Sequence, residues 1–107
     1  MNKLPLQRTV VTLSSEAAMQ VRELQLQMNK PYLRVAIKGG FWTGYDYDLK
    51  FEDQINVEKD YVDVSQGVQI VVDRKSARVL DGTFIKWKVH DDGRRGFLFQ
   101  NPNLRSE

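Results

Sequence analysis

The chain has no cysteine and a single histidine, His90. Without cysteine there is no disulfide, no thiolate metal site and no thiol nucleophile. One histidine excludes a His-rich zinc or iron site built within one chain. His90 is followed by Asp91 and Asp92, but adjacent acids in a turn do not orient an imidazole. No G-x-S-x-G nucleophile context occurs either, so no catalytic triad is predicted. Outside the acidic loop residues, the close carboxylate pairs are Asp46/Asp48 and Asp91/Asp92. Such pairs can do acid–base work, yet the sequence frames neither with a cleft. The expectation is a protein that is not an enzyme, with no catalytic residue and no cofactor.

The remaining candidate for function is Lys38-Gly39-Gly40-Phe41-Trp42-Thr43-Gly44-Tyr45-Asp46-Tyr47, which holds three of the seven glycines. Glycine admits positive φ and close backbone approach. The spacing Gly39-Gly40-x3-Gly44 is not a phosphate loop, which needs Gly-Lys-Ser/Thr opening a helix, and it fails the dinucleotide fingerprint for the same reason. Trp and Tyr carry large apolar area with a polar handle and are enriched at binding hot spots. Phe41, Trp42, Tyr45 and Tyr47 are therefore the candidate docking residues for a protein partner or an apolar ligand. The bland alternative is that Phe41 and Trp42 pack into the core or a dimer.

The elements that position this stretch follow from local pattern. Residues 9–13 are short and β-branched and read as a strand. Ser14 and Ser15 are good N-caps, Glu16 suits the first turn, and Ala17, Val21, Leu24 and Met28 recur on one face, predicting a helix over 15–28 that ends before Pro31. Residues 32–38 alternate, with Leu33, Val35 and Ile37 on one side. In the next strand Tyr45, Tyr47, Leu49 and Phe51 share one face and Asp46, Asp48 and Lys50 the other. Residues 52–60 read as a polar loop, 61–64 as a strand, 65–67 as a hairpin turn and 68–72 as a central strand. Asp73 caps a two-turn helix that Gly82 stops. Strands over 83–89 and 96–99 follow, separated by a turn at 91–93. Phe84 and Trp87 fall on opposite faces, which would put one of them on the surface. The predicted class is α+β, with one long and one short helix packed on mixed or antiparallel sheets.

A chain of 107 residues is one domain. Residues 1–8 read as a flexible arm, 9–104 as the core domain and 105–107 as a short tail. A net charge of +2, with Lys and Arg dispersed among the acids, argues against a nucleic-acid binder. No run reaches the ~18 apolar residues of a membrane helix and no signal-peptide core is present, so a cytoplasmic, membrane-free protein is expected.

Several segments carry a resemblance. They are Thr12-Leu13-Ser14-Ser15-Glu16-Ala17-Ala18, then Leu49-Lys50-Phe51-Glu52-Asp53, then Val71-Val72-Asp73-Arg74-Lys75-Ser76 with Leu80-Asp81-Gly82-Thr83, and finally Gly96-Phe97-Leu98-Phe99-Gln100-Asn101-Pro102-Asn103. In this order and spacing the chain resembles the A-type iron–sulfur carrier family (HesB/IscA-like) over residues 11–105. The resemblance implies the HesB/IscA-like fold, a role in iron–sulfur cluster assembly, and three cysteine ligands. One of these would lie in a Gly-Cys-Ser-Gly-like turn, where this chain has Phe41-Trp42-Thr43-Gly44, so Trp42 stands at the cysteine position. The other two form a Cys-Gly-Cys tail beyond Asn-Pro-Asn, which residues 105–107 lack. Clusters are held by thiolates, with His as an occasional substitute, and the indole N–H is a donor only. No metal site of the family's kind is expected. The resemblance then implies a cysteine-less member acting as an accessory or regulatory protein-binding module. Iron–sulfur assembly factors are its expected partners, in homo- or hetero-oligomers such as a dimer. The alternatives are an iron-binding protein using Tyr and Asp oxygens around Tyr47, Asp46 and Asp48, or a small-molecule binder on a reused fold.

Overall fold

The computed structural model describes residues 4–40 and 44–104. Ten elements follow in chain order: β1 (Leu6–Gln7), β2 (Val11–Leu13), α1 (Ser15–Met28), β3 (Tyr32–Gly40), β4 (Gly44–Glu52), β5 (Asp60–Ser65), β6 (Val68–Asp73), α2 (Arg74–Leu80), β7 (Thr83–Val89) and β8 (Arg95–Gln100). One sheet has the order β1-β5-β6-β3-β4 and the other β2-β7-β8. Parallel pairs (β1 with β5, β6 with β3, β2 with β7) alternate with antiparallel ones (β5 with β6, β3 with β4, β7 with β8). The architecture is the expected α+β arrangement of mixed sheets with one long and one short helix.

Local chemistry sets the boundaries. The Ser14 side chain accepts the Ala17 N–H at 3.1 Å, capping α1. The helix ends at Asn29, in the left-handed region at φ 54°, whose N–H reaches the Gln25 carbonyl. Gln66 and Gly67, at φ 52° and 79°, make the two-residue turn between β5 and β6, the primed geometry that matches strand twist. Asp73 caps α2 by accepting the Ser76 N–H at 2.8 Å. The Ser76 hydroxyl in turn accepts the Ile37 N–H at 3.2 Å, tying α2 to β3.

The core lies between the sheets and helices. Val11, Leu13, Ala17, Val21, Leu33, Val35, Ile70, Val72, Leu80 and Ile85 are all buried in it. β6 is central as predicted, flanked on both sides.

Four expectations change. Leu6 and Gln7, assigned to the flexible arm, pair with Tyr61 and Val62. Gln7 Nε2 donates to Asp63 Oδ1 at 3.1 Å and Thr9 Oγ1 donates to Asp63 Oδ2, so polar contacts rather than burial hold this segment. Met28, placed on the buried face of α1, is half exposed, because burial on that helix is confined to Ala17, Ala18 and Val21. Asp60, placed in the polar loop, is 2% exposed and opens β5. Phe84 and Trp87 do fall on opposite faces of the strand, but both are half-buried. Residues 1–3 and 105–107 lie outside the described residues.

Candidate functional site

The β3–β4 hairpin carries the glycine and aromatic stretch. Its pairing runs unbroken from Tyr32↔Glu52 to Gly40↔Gly44. Phe41 and Trp42 themselves lie outside the described residues. Gly39 at φ 86° and Gly44 at φ 76° bracket that end. Both sit where a Cβ would be strained.

Arg34 fixes the root of the hairpin. Its Nη1 and Nη2 donate to Asp60 Oδ1 and Oδ2 at 2.9 and 2.7 Å, and its Nε donates to Glu52 Oε1. Arg34 is opposite Val71 in register, and Val71 is opposite Val62, so the guanidinium bridges across the central strand over a fully buried valine. Burial pushes the Asp60 carboxyl up. The Arg34 hydrogen bonds and the Asn56 N–H at 2.8 Å outweigh that and hold it below the ordinary carboxylate value. The hydrogen bond to Asp60 holds Arg34 above its own ordinary value. A forked guanidinium matched to a carboxylate in this way is the strong, directional form of an ion pair.

Farther along the same face, Asp48 Oδ2 lies 3.6 Å from Lys38 Nζ and 3.5 Å from Lys50 Nζ. Lys38 is opposite Asp46 in register. Asp46 and Asp48, the acids of the alternative oxygen site, are interleaved with ammonium groups. The other face is aromatic. Tyr47 stacks on Phe99 with ring centroids 4.2 Å apart and planes within 5°. Leu49 and Phe51 pack against the core, and Tyr45, nearest the tip, is 41% exposed. Tyr45 and Tyr47 therefore share a face, and Asp46 and Asp48 point the opposite way, as the period of two requires.

Phe99 reaches Tyr47 because the end of β8 is anchored. Asn101, buried, donates through Nδ2 to the Val79 carbonyl at 2.9 Å, and its Oδ1 accepts the Asn103 N–H at 2.9 Å. Asn103 Nδ2 donates to the Val79 and Asp81 carbonyls at 3.0 and 2.8 Å. Asn101-Pro102-Asn103 thus closes the C-terminal end of α2. Gly82 is required there, since it has φ 85° and a Cβ would stand 3.3 Å from Pro102 Cγ.

The residues first weighed for catalysis do not converge. His90, Asp91 and Asp92 are exposed in the β7–β8 connection, where Asp92 Oδ2 accepts from Arg94 Nε at 2.7 Å. No group of three or more His, Cys, Asp or Glu residues stands together among the described residues. Also among the described residues, no helix is long and apolar enough to cross a membrane. Sequence reasoning missed Phe99 as the support of Tyr47, and missed the Arg34–Asp60 pair. The signal for the second was an arginine placed mid-strand in a run that is otherwise apolar or alternating.

Residues 9–107 match the family model described as iron-sulphur cluster biosynthesis. The chain is 37% identical over 98 residues to the iron-binding protein IscA of Salmonella arizonae, and equally to that of Salmonella schwarzengrund, covering 91% of this chain and 90% of each relative. Among solved structures it is similar to Escherichia coli SufA, involved in biosynthesis of iron-sulfur clusters, with TM-score 0.77, 22% identity and 97% of both chains covered. It is similar also to IscA with the [2Fe-2S] cluster, with TM-score 0.75, 24% identity, and 88% and 86% covered. A solution structure of a protein from Aquifex aeolicus superposes with TM-score 0.69 at 26% identity, covering 95% of this chain and 100% of that one. At the lower identities the likeness establishes the HesB/IscA-like fold, and the family match establishes kinship. The chain belongs to the iron-sulphur cluster biosynthesis family, as a cysteine-less member of its A-type carriers.

Proposed function

We propose that this protein serves iron–sulfur cluster assembly as a protein-docking module that does not itself ligate the cluster. The observation that carries this reading is the donor chemistry. The family's cluster needs thiolates, and these 107 residues supply none, with one histidine, exposed, in the β7–β8 connection. A [2Fe-2S] cluster such as the IscA relative's structure contains does not fit these side chains. Dimerisation would double the donors without adding a thiolate. The β3–β4 hairpin frames this stretch with strands paired to Gly40↔Gly44, Arg34 holding the root and Tyr47 stacked on Phe99. Rigid aromatic side chains on such a frame make efficient docking anchors. The partners on this reading are iron–sulfur assembly factors, including cysteine-bearing relatives, and the site residues are Phe41, Trp42, Tyr45 and Tyr47. The reading assigns the chain no reaction of its own and a cytoplasmic setting.

Affinity capture from the native cell extract with wild type and Trp42→Ala tests it. Wild type should retain assembly factors that the variant loses. Identical retention by both would reduce Trp42 to packing.

A second reading draws on the relatives' description as iron-binding proteins: ferric iron held by tyrosine and aspartate oxygens. Tyr47 is stacked on Phe99 and faces away from Asp46 and Asp48, and Asp48 lies between two lysines. These features weigh against it. Calorimetric titration with ferric iron, on wild type and Tyr47→Phe, decides the point, and heat lost in the variant would favour iron.

A further inference from the structure

The edge of the five-stranded sheet opposite β4 carries a different feature. Tyr61 of β5 is half-buried against the core. Two guanidinium groups use its ring: Arg8 Cζ lies 5.2 Å from the centroid and Arg74 Cζ 5.4 Å. The backbones that carry them are tied to the sheet. The Arg8 N–H reaches the Val62 carbonyl at 3.3 Å and the Arg74 N–H reaches the Lys59 carbonyl at 2.9 Å. Among the described residues Arg8 has a single, long ion pair, 3.5 Å to Asp81 Oδ2, with both side chains about half exposed. Arg74 makes no ion pair among the described residues. Arg78 stands one helical turn beyond Arg74, and Lys59 and Lys75 line a cavity of about 380 Å³ beside it. Like charges at this spacing repel, so this corner crowds cationic groups together beside the carboxylates of Glu58 and Asp73.

We propose that this corner binds an acidic peptide segment of a partner protein, with Arg8 and Arg74 as the two forks and the Tyr61 ring as the spacer that orients them. Stacking on an aromatic face holds a guanidinium plane while leaving its N–H edge free for a carboxylate. The carboxylates of Glu58, Asp73 and Asp81 are interspersed with the cations. A continuous phosphate backbone would run over these like charges, whereas separate glutamate or aspartate side chains fit between them. The surface lies at the β1–β5 edge, away from the β3–β4 tip, so it stands or falls independently of the docking role proposed above.

The test is fluorescence anisotropy of a labelled hexaglutamate peptide against the full chain at low and moderate salt. Wild type should bind, and Arg8→Gln/Arg74→Gln should weaken binding by about tenfold or more, the scale of losing a charge-assisted bond. Arg8→Lys/Arg74→Lys keeps the charge and loses the stacked forks, and should also weaken binding. Lys86→Gln/Lys88→Gln, on exposed positions of β7, should bind as wild type. Thermal unfolding of each variant confirms that it is folded. Equal binding by wild type and the arginine-to-glutamine variant overturns the proposal. So does an absence of wild-type binding, an equal loss in the β7 variant, or tighter binding of a length-matched oligothymidylate than of the peptide.

Discussion

Asp60 shows at the scale of one residue how much the local surroundings decide. It is an acid with 2% exposure, held by both ends of the Arg34 guanidinium fork. Its carboxyl titrates below the ordinary value in the folded protein, while the unfolded value is near 3.9. The unfolded state therefore takes up the proton first on acidification. The stabilisation is complete above the unfolded value and is lost as pH falls through the folded one. Asp60→Asn should cost about 2 kcal/mol at neutral pH, because the Arg34 fork then faces a neutral amide and only Glu52 still pairs its charge. In urea unfolding between pH 2 and 7, the variant should lose less stability below about pH 4 than wild type does. Equal acid sensitivity in the two proteins would contradict this assignment. Thr83 is the opposite case. Its hydroxyl is fully buried in β7 and has no hydrogen-bond partner among the described residues. Thr83→Val keeps the shape and removes the orphaned group, so it should raise stability by about 1 kcal/mol, read as a higher urea midpoint at unchanged slope.

At the scale of elements, local chemistry was legible and long-range pairing was not. The boundaries of α1, the cap at Asp73 and the stop at Gly82 could all be read from nearby residues, because caps and turns depend on side chains within four positions. Ser14→Ala should accordingly cost about 1 kcal/mol through the lost Ala17 N–H bond, visible in thermal unfolding. A shift below a tenth of that would mean the cap is replaced by water. The pairing of Leu6–Gln7 with β5 was not legible, since both side chains are exposed and no apolar pattern marks them. Nor was the burial of Asp60, whose partner Arg34 is 26 residues away. In the candidate site, alternation correctly put Tyr45 and Tyr47 opposite Asp46 and Asp48. The brace from Phe99 depends on how two sheets meet, which no local spacing encodes.

At the scale of the whole molecule, the chain keeps the family's fold, and these 107 residues hold no cysteine. Two mixed sheets, two helices and the Asn101–Asn103 closure of α2 are in place. None of these needs a thiol to form. The proposed docking role rests on the donor chemistry of these 107 residues. Anaerobic reconstitution of the purified protein with ferrous iron and sulfide, followed by desalting and visible absorption with iron and sulfide quantitation, tests that most directly. The account predicts no stoichiometric cluster absorption and no retained sulfide. A stoichiometric cluster retained through desalting would contradict it.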